Sequence, residues 1–202
     1  MSTTRNLAIL IFEDVEVLDF CGPFEVFSVA NRFTESPAFS VLTVAENAGP
    51  VLTRGGLSVN PHHRLLDCPQ PDVLLVPGGQ GTRKEMYNPA LIDWIRRVST
   101  KTELVLSVCT GALLLAKAGL LDGLEATTHH GAIKLLRQTA PQTTVHADRR
   151  FVDNGRVVCS AGIAAGIDMS LHVVGRLLGK EVAEHTARQM EYPWEAVPLR
   201  HP

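Results

Sequence analysis

Apolar residues fall in short unbroken runs that alternate with helical spacings along the chain. Leu7 to Phe12 is continuous, as in a strand covered on both faces, and Glu13-Asp14 ends it. From Asp19 to Phe33, Phe20, Phe24, Phe27 and Ala30 recur at helical spacing. Gly22-Pro23 then falls in the first turn, where proline is tolerated. Phe39 to Ala45 reads as a second strand. The turn signals Asn47-Ala48-Gly49-Pro50 and Gly55-Gly56 frame a hairpin-like excursion over 51–60. Asp72 to Val76 is a third strand, stopped by Pro77-Gly78-Gly79-Gln80-Gly81, and Leu91, Ile92, Ile95 and Val98 mark a helix over 88–99.

The second half continues the pattern. Leu104 to Val108 is a buried strand that runs into Cys109-Thr110-Gly111 and a helix through Leu113 to Ala118, closed at Gly119. Ala126 to Thr128 reads as a short strand, His130 to Gln138 as a helix and Thr143 to Ala147 as a strand. Phe151-Val152 and Val157 to Cys159 form a hairpin across an Asn154-Gly155 turn. Ile163 to Leu178 and Glu181 to Met190 are two closing helices, and Tyr192 to Pro202 is an irregular tail. Buried strands alternating with helices predict an α/β fold around a parallel sheet, with residues 1–202 as one domain.

Composition narrows the function classes. Lys plus Arg is 19 against 21 Asp plus Glu, a net charge of -2, which argues against a strongly basic nucleic-acid-coating surface. No apolar run reaches the roughly 18 residues that span a bilayer. The N-terminus lacks the length and cleavage site of a signal peptide, so a cytoplasmic location with free thiols is expected. Cys21, Cys68, Cys109 and Cys159 form no CxxC pair. His62-His63 reads as exposed loop. His129-His130 share one turn and need not face one pocket, so no metal site is expected.

Three strand ends carry candidate chemistry. In Leu104–Ala112 a buried strand ends directly on Cys109 and a helix follows, the context that lifts a nucleophile above the edge of an α/β sheet. A thiol at a helix N-terminus meets the positive end of the dipole and free N–H groups, which predicts a lowered pKa. The other reading is a buried cysteine in a helix cap. Gly78 and Gly79 end another strand and expose backbone N–H groups suited to an oxyanion, or they simply make a sharp connection. Asp19 follows the first strand. Alone it reads as an N-cap, but beside a thiolate its carboxyl would have a raised pKa and act as a proton donor. His129 or His130 could serve as a base toward Cys109, or as a capping or core histidine. Cys21, Cys68 and Cys159 read as structural.

Four stretches, LAILIFEDVEVLDFCGPFEVF, DVLLVPGGQGT, LVLSVCTGALLLAKAGLLDGLEATTHH and SAGIAAGIDMSLHVVGRLLGKEVAEHTARQMEY, resemble the PfpI/ThiJ superfamily in order from about Leu7 to Trp194. The LD-x-x-GP, CTG and ATTH motifs look most like the isocyanide hydratase branch. GP-x-EVF-x-x-AN is similar to the amidase-like ligand domain of AraC-type transcription regulators. The resemblance implies a flavodoxin-like sandwich, a mostly parallel central sheet with helices on both faces. It also implies a homodimer and no metal or organic cofactor. By position, Cys109 matches the nucleophile and Asp19 its acidic partner. Gly78, Gly79, Thr110, His129 and Ile163 match the oxyanion site and pocket.

Peptidase-like members place His directly after the Cys. Here that residue is Thr110, so a Cys–His peptidase is not expected. Three departures surround the expected pocket. Thr128-His129-His130 stands where hydratases commonly have Thr-His-Trp, Cys21 replaces a Thr, and Ser160-Ala161-Gly162 replaces a glycine triplet. The implied activity is cofactor-independent hydration of an isocyanide to an N-formamide on a small-molecule substrate. The alternatives are a ligand-binding regulatory module and a thiol-based stress-response enzyme. The 202 residues leave no room for a paired helix-turn-helix domain of roughly 100 residues, so direct nucleic-acid binding is not expected.

Overall fold

The computed structural model describes residues 4–194; of the expected irregular tail, 195–202 lie outside the described residues. The elements in chain order are β1 (Arg5–Leu10), α1 (Val17–Ala30), β2 (Phe39–Ala45), β3 (Val51–Leu52), β4 (Ser58–Val59), β5 (His63–Arg64), β6 (Val73–Val76), α2 (Thr82–Glu85) and α3 (Pro89–Ser99). They continue with β7 (Leu104–Ser107), α4 (Gly111–Lys117), β8 (Glu125–Ala126), α5 (Ile133–Thr139), β9 (Thr144–Val145), β10 (Phe151–Asp153), β11 (Val157–Ser160), α6 (Ala165–Leu178) and α7 (Lys180–Gln189).

Seven strands form one sheet in the order β10-β11-β7-β6-β1-β2-β5. All neighbouring pairs are parallel except the β10–β11 hairpin at one edge. Leu7 to Leu10, Val73 to Val76 and Leu104 to Leu106 are buried, as central strands covered on both faces must be. Helices α1, α6 and α7 pack together on one face, and α4 packs against β6, β7 and α2, α3 and α5 on the other. This is the α/β sandwich expected, with an antiparallel edge. The chain leaves β1 toward β2 and later returns to β6 on the other side. The switch point therefore lies between β1 and β6, where doubly wound sheets hold their ligands.

Local differences from the sequence reading have physical causes. Helix α1 starts two residues before Asp19, so Pro23 sits inside it rather than in its first turn. Proline has no N–H to give the carbonyl of Asp19, four residues back. The 143–147 segment shortens to β9, which pairs with β8 in a separate two-stranded sheet. His130–Ala132 is a 3-10 turn that precedes α5. Helix α6 begins at Ala165 rather than Ile163, because Ile163 has φ +54°, outside the helical region. His63 forms part of edge strand β5, and the exposed His62 ring accepts from the Thr43 amide at 3.0 Å.

Candidate active site

Four chain segments meet at the C-terminal edge of the central strands. The segment after β1 supplies Asp19, the turn after β6 supplies Gly78 and Gly79, the elbow after β7 supplies Cys109 and Thr110, and the turn after β11 supplies Ala161 to Ile163.

Cys109 has φ +56°, a left-handed conformation rare for a residue with a side chain. Its surroundings hold it there. Its amide donates to the Ala161 carbonyl at 3.1 Å, and its own carbonyl accepts from the Thr128 hydroxyl at 2.7 Å. Such a conformation costs on the order of 1–3 kcal/mol and persists only where several contacts fix it. The turn lifts the side chain off the strand and beside Asp19, and the residue is only 6% exposed.

Asp19 is fully buried in the first turns of α1, and no side chain caps that helix. Its carboxyl turns instead toward the sheet edge. Oδ2 accepts from the Gly78 amide at 3.0 Å, while Oδ1 is buried without a hydrogen bond. The Cys109 thiol and the Ile163 amide are its other polar neighbours. Burial, above all, pushes the Asp19 carboxyl up to about 7, and hydrogen-bonding neighbours offset only part of that. Gly78 is required by this fit. A Cβ there would lie 2.5 Å from the Thr110 amide nitrogen and 2.9 Å from Asp19 Oδ2.

The Cys109 thiol departs from expectation. Burial, and then the Asp19 charge, push it up to about 12, and the Thr110 amide only partly offsets this. The lowered pKa read from the helix N-terminus is therefore corrected. The dipole acts over one turn, whereas exclusion of water and the like charge of Asp19 act on the same sulfur more strongly.

The glycine turn also has a more specific task than a free oxyanion hole. The Gly78 amide is engaged by Asp19, and the Gly79 amide donates to Thr110 Oγ1 at 3.0 Å. The Thr110 amide is the donor aimed at the sulfur. The Thr82 hydroxyl joins this network, 2.8 Å from the Gly79 carbonyl and 3.1 Å from Thr110 Oγ1.

His129 is half-buried at the rim. Its Nδ1 accepts from the Gly131 amide at 3.1 Å, so the ring caps its own turn and has no free nitrogen on that side to act as a base. Burial, then His130 and Arg83, lower its pKa and keep it neutral. Gly162 gives the ring its room, since a Cβ there would lie 2.4 Å from His129 Cδ2. The exposed His130 stacks on His129 with centroids 4.2 Å apart. Ile163 sends its amide toward Asp19 while its side chain is 38% exposed at the rim. Cys21 lies two residues from Asp19 and is half-buried, Ser160 is buried at the end of β11, and all four thiols are free.

The pattern of the DJ-1/PfpI family matches residues 5–176. The chain belongs to the DJ-1/PfpI family. Among family relatives it is 35% identical over 187 residues to an isonitrile hydratase of Pseudomonas putida, covering 93% of this chain and 78% of that protein. It is 32% identical over 186 residues to the HTH-type transcriptional regulator CdhR of Pseudomonas aeruginosa, covering 92% of this chain and 54% of the regulator. It thus spans about half the length of that relative. A crystal structure of a THiJ/PfpI family protein from Pseudomonas syringae superposes with TM-score 0.86 at 27% identity, covering 98% of this chain and 78% of that one. Among the described residues, no helix is long and apolar enough to cross a membrane.

Sequence reasoning missed Thr82 and Arg83, and it named Thr128 in a motif without giving it a role. The signal for the first two was their place directly after the glycine turn at a strand end. Thr128 is legible only once its hydroxyl is seen on the Cys109 carbonyl.

Proposed function

We propose that this DJ-1/PfpI protein is a cofactor-independent hydratase that converts a small isocyanide to its N-formamide. The observation that carries the reading is the buried pair: an Asp19 carboxyl raised to about 7 beside the Cys109 thiol. The 35% identity to an isonitrile hydratase over 93% of the chain supports the same chemistry.

The contact between the two groups suggests the sequence of proton movements. Asp19 takes the Cys109 proton as the sulfur attacks the terminal isocyanide carbon, and an S–C bond forms. Asp19 returns that proton to the same carbon, giving a thioimidate. Water then adds at this carbon. One of its protons passes to nitrogen, the C–S bond breaks, and the sulfur regains a proton as the N-formamide leaves. The net change is one water added to one isocyanide. The Thr110 amide stabilises charge on sulfur, and Ile163 and His129 form the rim through which the substrate enters. No His base is needed, consistent with the capping role of the His129 ring.

The test is turnover of a simple alkyl isocyanide, followed by formamide production. Wild type should be active, and Cys109→Ala should lose at least about 10³-fold in kcat/KM. Equal activity in the mutant would sink the mechanism. An inert wild type that binds small molecules would favour the ligand-binding reading, which the resemblance to the regulator supports. The third reading, a stress-response thiol, predicts that mild peroxide modifies Cys109 before the other three cysteines. We further propose a single-domain homodimer; a monomeric mass in light scattering would refute the dimer.

A further inference from the structure

Several charged side chains surround the Cys109–Asp19 site. Arg54 Nε lies 3.7 Å from Glu16 Oε2, so those two offset one another. His129 is neutral. Lys84 and Glu85 pair with each other at 3.8 Å. Arg83 is half-buried and has no carboxylate at salt-bridge distance among the described residues.

Its guanidinium is not loose. Nη1 donates to the Gly79 carbonyl at 3.0 Å and to Thr82 Oγ1 at 3.1 Å. The Thr110 hydroxyl contacts those same two oxygens, each at 3.1 Å. Arg83 is therefore pinned within about two hydrogen-bond lengths of the residue that follows the nucleophile. Its charge reaches the His129 ring across the rim. The donors on Nε and Nη2 have no protein acceptor among the described residues. A planar fork held by one nitrogen, with its other donors free, suits a carboxylate.

We propose that Arg83 is the specificity-determining residue of this site, and that it selects small substrates carrying a carboxylate a few bonds from the carbon that Cys109 attacks. The naming of that electrophile as an isocyanide rests on the hydratase reading; the recognition of the acid does not. A neutral alkyl isocyanide would react without this anchor, while an isocyano-carboxylate would be held at both ends.

Two measurements separate the two claims. The first is alkylation of Cys109 by iodoacetate and by iodoacetamide, followed by peptide mass spectrometry. In wild type the iodoacetate-to-iodoacetamide rate ratio at Cys109 should exceed the ratio at Cys21 and Cys68 by about tenfold. Arg83→Gln should bring it down to their level, and Arg83→Lys should keep part of it. The wild-type comparison stands even if a variant folds poorly. Equal ratios at all three cysteines in wild type, or a ratio that Arg83→Gln leaves unmoved, would overturn the proposal.

The second is turnover of isocyanoacetate against its methyl ester. The acid should be preferred by about tenfold in kcat/KM, with the preference carried in KM and lost in Arg83→Gln. A wild type that prefers the ester would overturn the carboxylate class and leave the hydratase standing. A wild type that hydrates neither would remove the hydratase reading, and the alkylation ratio would still decide Arg83.

Discussion

Two carboxylates sit beside titratable partners, Asp19 fully buried and Asp153 with its side chain 23% exposed, and the protein treats them in opposite ways. Asp153, at the end of β10, accepts from His172 Nε2 at 2.7 Å, Arg176 Nη1 at 2.9 Å and the Gly155 amide at 2.7 Å. Burial pushes its pKa up, but these donors and the Arg176 charge more than reverse that and hold it below the usual carboxylate range. Asp19 has the Gly78 amide on Oδ2 and only the weaker approaches of the Cys109 thiol and the Ile163 amide besides, and burial wins. A fully satisfied carboxylate stays ionised and fastens structure together. An under-satisfied one holds its proton near neutrality and can pass it on.

The sharpest way to break this contrast is Asp19→Asn. If the carboxyl shuttles the proton, kcat/KM for an isocyanide should fall about 10²–10⁴-fold, with the fold retained by circular dichroism. The wild-type rate should rise with pH through about 7, as the carboxylate that receives the thiol proton forms. The same substitution should stabilise the protein above neutrality. A carboxyl raised from 3.8 to about 7 supports the fold fully below pH 4, and that support is lost as pH climbs through 7. The loss is up to about 4 kcal/mol. Urea midpoints of wild type and variant should thus converge near pH 4 and diverge by pH 8, with the variant the more stable. A wild type that gains on the variant between pH 4 and 8 would reverse the assignment.

Gly78→Ala comes next. A methyl group 2.5 Å from the Thr110 nitrogen and 2.9 Å from Asp19 Oδ2 must push the Asp19 and Thr110 segments apart. Activity should drop about 10²-fold and stability by about 1–3 kcal/mol, read from kinetics and urea unfolding. The smallest catalytic effect belongs to Asp153→Asn. Activity should stay within about twofold, while stability at pH 7 falls by about 1–2 kcal/mol. Because the folded pKa of Asp153 is lowered, its contribution holds above pH 4 and fades as pH falls further, so the wild-type and variant midpoints should meet in acid. A large activity loss in this variant would erase the distinction between the two carboxylates.

Much of this was legible in the chain. The unbroken runs at Leu7, Asp72 and Leu104 read as buried parallel strands, and the structure places them at the centre of the sheet. Cys109, Asp19 and the glycine turn were read as three separate strand ends, and strand order brings them to one edge. The direction of the Cys109 shift was not legible. A helix N-terminus is visible in local sequence, but desolvation depends on how four distant segments close over the sulfur. The engagement of the Gly79 amide by Thr110, and the use of His129 to cap its own turn, were hidden for the same reason. Hydrogen-bond partners are chosen by tertiary geometry, which residue spacing does not encode. The pairing of β8 with β9 was not legible, because a two-residue ladder carries too little pattern to reveal its partner.

The elbow at Cys109 is tied by its amide to the segment after β11 and by its carbonyl to Thr128, while its acid neighbour comes from the first helix. No single loop owns this centre. Inactivation by heat or urea should therefore track melting of the whole sheet rather than precede it. Catalytic output would then serve as a faithful gauge of how many molecules remain native.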